Sequence, residues 1–439
     1  MASSNDAAPL AANAPAEAVG EYVSEGNPFN LPSLEELEAS MCDPKTSIVT
    51  KMANLFSIKK HGGPKAVNVI ISSLENEKGS VLFRHEAAYV LGQLGSRDAS
   101  ARLEQLLKDR HEDEMVRHEA AEALSAIGSG TSLPVLEQTL HDAATPLPVR
   151  ETCELAVEAL KRKMQSQRQR ATAPEPDSEA PRESEGTAVA AEGDGAWWER
   201  SEEDSLYRDP AFNTIDPSEP YPNCSAKDLP WLAAQLMNEK EKLWNRYRAL
   251  FTLRNLDSSA AMAVLSVALA RDTSSALLRH EIAFVLGQLR LSHSSSVSAG
   301  AAEKREDAAA EDAENEAAAQ RDCAPPDPSL EPFFFPKAEE REVLDKRAAC
   351  VAVEALADCL QNAREHPMAR HEAALALGSL GASPEASDVQ WKGGKRNVQE
   401  AVIEFLQKYR NDPDRVVSES CLVGLDCMQD ELGLELGVY

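Results

Sequence analysis

Six of the nine histidines in the chain are followed at once by an acidic residue: His85, His111, His118, His141, His280 and His371. Imidazole and carboxylate supply the nitrogen and oxygen donors that hold metal ions, so this pairing is the first chemistry to weigh. Four of the pairs share their flanks. Arg84-His85-Glu86-Ala87-Ala88 returns as Arg117-His118-Glu119-Ala120-Ala121, as Arg279-His280-Glu281-Ile282-Ala283 and as Arg370-His371-Glu372-Ala373-Ala374. A single His-Glu pair at a helix start is usually a cap or a surface pair, but four in register are not explained that way. Arg110-His111-Glu112 is a useful control: Asp113 and Glu114 follow it instead of an apolar run, so it reads as a solvated turn. His61, His141, His293 and His366 read as surface residues.

The segments that carry the four pairs recur with a fixed period. Arg84 and Arg117 stand 33 residues apart. One step back lands on Lys51 in Lys51-Met52-Ala53-Asn54-Leu55-Phe56, and one step on lands on Arg150 in Arg150-Glu151-Thr152-Cys153. The second half repeats the scheme, with Arg246-Tyr247-Arg248 before Arg279 and Val416-Val417-Ser418-Glu419 after Arg370. Its longer steps correspond to insertions at about 292–347 and 382–396. Four units lack the histidine and hold Met52, Glu151, Tyr247 and Ser418 in its place. His-Glu therefore marks only the second and third unit of each half.

Within each unit apolar residues recur at three and four spacing, the period of an amphipathic helix, in two stretches. Gly92, Gly287 and Gly378 lie late in the first stretch and read as easing the turn into the second. Helix pairs stacked at this period predict an all-α fold: an α-solenoid of eight HEAT-like helical-hairpin repeats in two four-repeat halves facing each other. The expected organisation is a disordered tail over 1–30, a four-repeat half over 31–163, an acidic Pro-rich linker over 164–228 and a second half over 229–439. That half carries a largely disordered acidic insertion at about 292–347. Within the linker, the more apolar Asp209–Pro217 stretch is expected to dock on a folded half.

Neighbouring units place equivalent residues roughly 10 Å apart on one face. One four-repeat half cannot close that face into a cavity, whereas two facing halves can. Such a cavity would gather His85, Glu86, His118, Glu119, His280, Glu281, His371 and Glu372. Four imidazoles and four carboxylates turned inward are costly without compensation, and a metal supplies it. Nitrogen and oxygen donors without thiolate suit non-haem iron or manganese better than a structural zinc. Eight groups are too many for one ion and fit two. Two histidines and one carboxylate per ion would leave two carboxylates for another task. Which glutamate of each pair would bind metal stays open on this reasoning.

The net charge is −28, from 73 acidic and 45 basic residues. It is concentrated in 171–220, with 14 acidic against 3 basic residues, and in 301–340, with 12 against 4. Such a field excludes a nucleic-acid-binding surface and favours a basic macromolecular partner. Eight cysteines without a C-x-x-C pair indicate neither a disulfide framework nor a zinc ribbon. The start of the chain does not read as a signal peptide, and the apolar run Ala260–Ala270 is too short for a bilayer, so a cytoplasmic protein without membrane contact is expected. No H-E-x-x-H or phosphate-loop motif is present. The alternative to an enzyme is a non-enzymatic HEAT-repeat scaffold that binds a protein on its concave face.

Eight such units, with Arg-His-Glu in the second and third of each half, resemble the deoxyhypusine hydroxylase family. Arg246-Tyr247-Arg248-Ala249-Leu250-Phe251-Thr252-Leu253-Arg254-Asn255-Leu256 is similar to that family's first-unit helix, and the Asp216-Pro217 stretch is similar to its linker. The resemblance implies a monooxygenase with two Fe(2+) ions per chain. One iron would be held by His85, His118 and Glu119, the other by His280, His371 and Glu372. Glu86 and Glu281 would bind the substrate's cationic amines, with no catalytic residue beyond the metal centre. It implies hydroxylation of deoxyhypusine on translation initiation factor 5A to form hypusine, using dioxygen and an electron donor.

Overall fold

A computed structural model describes residues 31–172, 208–209, 212, 214–289, 326–334, 336–337, 340–392 and 394–438. Within them the regular structure is helical apart from a short antiparallel pairing of β1 (Arg208–Asp209) with β2 (Thr214–Ile215) and an isolated bridge between Gln390 and Asn397. The helices, in chain order, are α1 (Leu34–Cys42), α2 (Ile48–His61), α3 (Gly63–Asn76), α4 (Val81–Leu94), α5 (Ser100–Lys108), α6 (Glu114–Ile127), α7 (Leu133–His141) and α8 (Leu147–Thr172). They continue as α9 (Leu229–Met237), α10 (Leu243–Leu256), α11 (Ser259–Arg271), α12 (Ala276–Gln288), α13 (Glu331–Phe334), α14 (Arg341–Gln361), α15 (Pro367–Ala382), α16 (Val398–Tyr409) and α17 (Arg415–Leu432). No described helix is long and apolar enough to cross a membrane.

The motif helices start at side-chain caps. Ser80, Asp113, Ser275 and His366 accept backbone N–H groups at the N-termini of α4, α6, α12 and α15. Gly95 and Gly128 end α4 and α6 in the left-handed region, at φ 66° and 71°. The turn after α4 therefore belongs to Gly95 and not to Gly92, and α12 and α15 end at Leu289 and Ser383 rather than at Gly287 or Gly378. A Cβ on Gly92 would stand 2.7 Å from Ala123 Cα, one on Gly287 3.0 Å from Ala376 Cα, and one on Gly378 2.5 Å from Gly424 Cα. These three are sites of backbone contact between neighbouring helices, which corrects the turn assignment made from sequence.

Two inner rows result: α2, α4, α6 and α8 pack in sequence, and so do α10, α12, α15 and α17. Outer helices such as α5, α7, α11 and α14 cover their backs. The rows meet at both ends, α17 against α2 and α4, and α8 against α10 and α12. The capping serines take part: Ser80 Oγ donates to Glu419 at 2.6 Å, and Ser275 Oγ donates to Glu151 at 2.8 Å. Between them His366 Nε2 lies 3.0 Å from Glu114 Oε1.

The segment after β1 is wedged between the rows. Gln93 of α4 exchanges two hydrogen bonds with the Ile215 backbone, at 2.8 and 3.1 Å. Asp216 accepts from both terminal nitrogens of Arg254 on α10, at 2.9 and 2.5 Å, and Arg254 also donates to Gln288 on α12. Arg254 is fully buried, so this pair is desolvated and bidentate, the arrangement that makes a buried ion pair tolerable.

Two expected boundaries sit differently. Helix α8 crosses 163/164 without a break and reaches Thr172. In the 292–347 insertion, Leu330, Phe333 and Phe334 are buried and residues 341–347 begin α14, because this apolar run offers burial that offsets ordering. The disorder expected over 1–30, and over 173–207 and 290–325 within the linker and insertion, lies outside the described residues.

Candidate metal centre

Helices α4, α6, α12 and α15 each present one His-Glu pair to the space between the rows. All eight side chains are buried, and His118 and His371 are wholly so. The four rings gather around one point. His85 has its ring centroid 5.2 Å from His118, 5.8 Å from His280 and 5.1 Å from His371. His280 is 5.3 Å from His118 and 5.2 Å from His371.

Donor atoms converge within this group. His85 Nε2 lies 3.2 Å from His118 Nε2 and 3.4 Å from Glu119 Oε2. His280 Nε2 and His371 Nε2 lie 3.7 and 4.0 Å from Glu372 Oε2. Single donor atoms of His85, His280 and His371 also fall within 4.8 Å of one another. Glu86 Oε1 approaches His85 Nδ1 from the other side, at 3.4 Å. Glu281 lines the adjoining cavity.

Burial dominates the electrostatics. It holds the imidazoles of His118, His280 and His371 well below the ordinary histidine range, and neighbouring imidazoles add to the effect. It pushes the Glu119, Glu281 and Glu372 carboxyls well above the usual range, reinforced by nearby acidic groups. The ring nitrogens of His118, His280 and His371 are therefore neutral donors. Both nitrogens of His280 and His371, and Nδ1 of His85 and His118, have no hydrogen-bond partner. A buried polar atom without a partner is costly, and the unpartnered Nε2 atoms of His280 and His371 lie on the side of Glu372. A cation there would accept the lone pairs and lower the cost of ionised carboxylates. Nitrogen and oxygen donors with no thiolate in either group fit non-haem iron.

A cavity opens beside the centre, with an empty volume of about 680 Å³ counting the solvent at its mouth. His85, Glu86, Glu119, His280, Glu281 and Glu372 reach it. Four of its other lining residues, Tyr89, Glu122, Phe284 and Leu375, were not singled out by the sequence. Each lies four residues beyond a motif histidine, one helical turn on along the same face. That register was the available signal. It was hidden because the four share no residue type. Tyr89 and Phe284 meet edge to face across the cavity, with centroids 6.1 Å apart.

Comparison with known proteins bears on this arrangement. Residues 67–158 match the family described as HEAT repeats. The chain is 30% identical to a deoxyhypusine hydroxylase of Danio rerio over 89% of its length and 90% of the relative's. It is 33% identical to that of Aspergillus niger over 95% of both chains. The structure of human deoxyhypusine hydroxylase in complex with glycerol superposes with a TM-score of 0.59 at 28% identity, covering 90% of this chain and 96% of the human one. With similarity running the length of both partners, and the HEAT match spanning the two His-Glu pairs of the first half, the chain belongs to the deoxyhypusine hydroxylase family.

Proposed function

We propose that the four His-Glu pairs form a di-iron centre with two Fe(2+) ions per chain. His85, His118 and Glu119 hold one iron, and His280, His371 and Glu372 hold the other. Glu86 and Glu281 stay off the metals and bind the substrate's ammonium groups. The scaffold is eight HEAT-like hairpins in two four-repeat halves, 31–163 and 229–439, facing each other across the centre. The observation that carries the reading is the convergence of buried imidazole Nε2 atoms with one carboxylate on each side.

The substrate is deoxyhypusine on translation initiation factor 5A, in the cytoplasm. One oxygen atom of dioxygen enters the side chain and the other leaves as water, with two electrons from an external donor and two protons. Iron supplies the activation of dioxygen. The protein's own residues do the rest. Buried neutral imidazoles offer lone pairs without first losing a proton. Carboxylates in a partly dehydrated cavity take the cationic chain more strongly than solvated ones would. Tyr89 and Phe284 narrow the cavity and exclude water.

Metal analysis tests the assignment. The wild type should contain two irons per chain, and His118→Ala should lose iron and turnover together. A variant that keeps both irons and full turnover would sink the ligand assignment. A wild type with no stoichiometric iron would leave the protein-binding scaffold as the reading.

A further inference from the structure

The layer one turn beyond the histidines is not symmetric, although the histidines are. The first half contributes Tyr89 and Glu122, and the second half contributes Phe284 and Leu375 at the matching positions. One side of the cavity is polar and carries a carboxylate, and the other is apolar.

Glu122 has no structural use for its charge. Its carboxylate makes no hydrogen bond or ion pair among the described residues. Burial pushes its carboxyl up to about 7, and Asp216 adds to this. The buried cation Arg254 already binds Asp216. The junctions at the two ends set α6 across from α12 and α4 across from α15, with His118 5.3 Å from His280 and His85 5.1 Å from His371, so Glu122 lines the cavity across from Glu281. The cavity thus has a doubly acidic part, Glu122 with Glu281. Glu86 has no companion carboxylate beyond those assigned to iron, since the position matching Glu122 is Leu375.

We infer that Glu122 is a third substrate-binding carboxylate, which receives the terminal ammonium of the deoxyhypusine side chain and makes that side chain bind in one direction only. A primary ammonium concentrates its charge and donates three hydrogen bonds, so it belongs at the end with two carboxylates. The secondary amine, nearer the protein backbone, falls to Glu86. Phe284 and Leu375 cover the methylenes between. The carbon chain between the two nitrogens then lies against the donor atoms of the four histidines. This inference rests on the proposed substrate, and its test separates the two.

The experiment compares iron-loaded wild type and Glu122→Gln on two substrates. One is translation initiation factor 5A bearing deoxyhypusine. The other is the same factor with the terminal amine replaced by a methyl group. Glu122→Gln should raise KM for the first by at least ~10-fold, as loss of one partner of a desolvated charge pair does. It should leave KM for the second, kcat and iron content unchanged. Equal KM values on the first substrate, or the same rise on both, would overturn the inference. Binding of both substrates without dioxygen repeats the comparison with no turnover required. A wild type that binds the amine substrate but never hydroxylates it would overturn the hydroxylase reading and leave the role of Glu122 decided by that binding.

Discussion

At the scale of single residues, the histidines and glutamates of one motif have different surroundings. His280 and His371 have both ring nitrogens unpaired, whereas Glu281 faces the cavity among other acids. This difference separates metal binding from substrate binding in a variant series. Glu281→Gln keeps the cavity's shape and removes one charge. It should retain two irons per chain and raise KM about 10-fold or more with little change in kcat, as loss of a binding contact does. Loss of iron with unchanged KM would exchange the roles of Glu281 and Glu372. The His-Glu positions were legible because the tripeptide recurs with its flanks intact. Tyr89, Glu122, Phe284 and Leu375 were not, since only their place in the helical turn unites them.

At the scale of elements, the inner helices touch backbone to backbone at glycine. Gly378 on α15 faces Gly424 on α17, where an added Cβ would stand 2.5 Å from Cα and 2.8 Å from the carbonyl oxygen. Neither atom can swing away as a side chain would. Gly378→Ala should therefore force α15 and α17 apart and destabilise the protein by about 1–3 kcal/mol. A lowered melting temperature would show it, and an unchanged one would mean the helices accommodate the methyl group. The 33-residue period made these helices readable, because each inner helix needs the same small and apolar stripe to stack. The glycines were misread as turn residues because a late helical glycine serves either purpose, and only the neighbour's position decides. The docking of the 209–217 stretch was legible from its apolar residues, but the partners that hold 214–216 were not, and neither was the end of α8. Those partners, Gln93, Arg254 and Gln288, lie far along the chain from the segment they hold.

At the scale of the whole molecule, the two rows are joined partly through a carboxylate that titrates near neutrality. Glu151, which accepts from Ser275 across the α8–α12 junction, has its carboxyl raised from an ordinary 4.5 to about 7, with burial as the main cause. A group with a higher folded than unfolded pKa gives its full stability below the unfolded value and loses it as pH rises through the folded one. The junction should therefore weaken between about pH 4.5 and pH 7. At 1.36 kcal/mol per pKa unit the loss is at most roughly 3 kcal/mol, less the part that solvent screens. Glu151→Gln keeps an acceptor for Ser275 without a charge. Its melting temperature should fall less than the wild type's over that range. Parallel profiles would show that Glu151 ionises as freely in the folded chain as in the unfolded one.

The difference between Glu122 and Leu375 has a consequence for the architecture. Two separate, identical subunits placed about the same axis could build the ring of four imidazoles. They would have to carry the same residue at both of those positions. Because one polypeptide supplies both sides, each can change alone, and a centre with paired ligands can sit in a chamber that tells one end of its guest from the other.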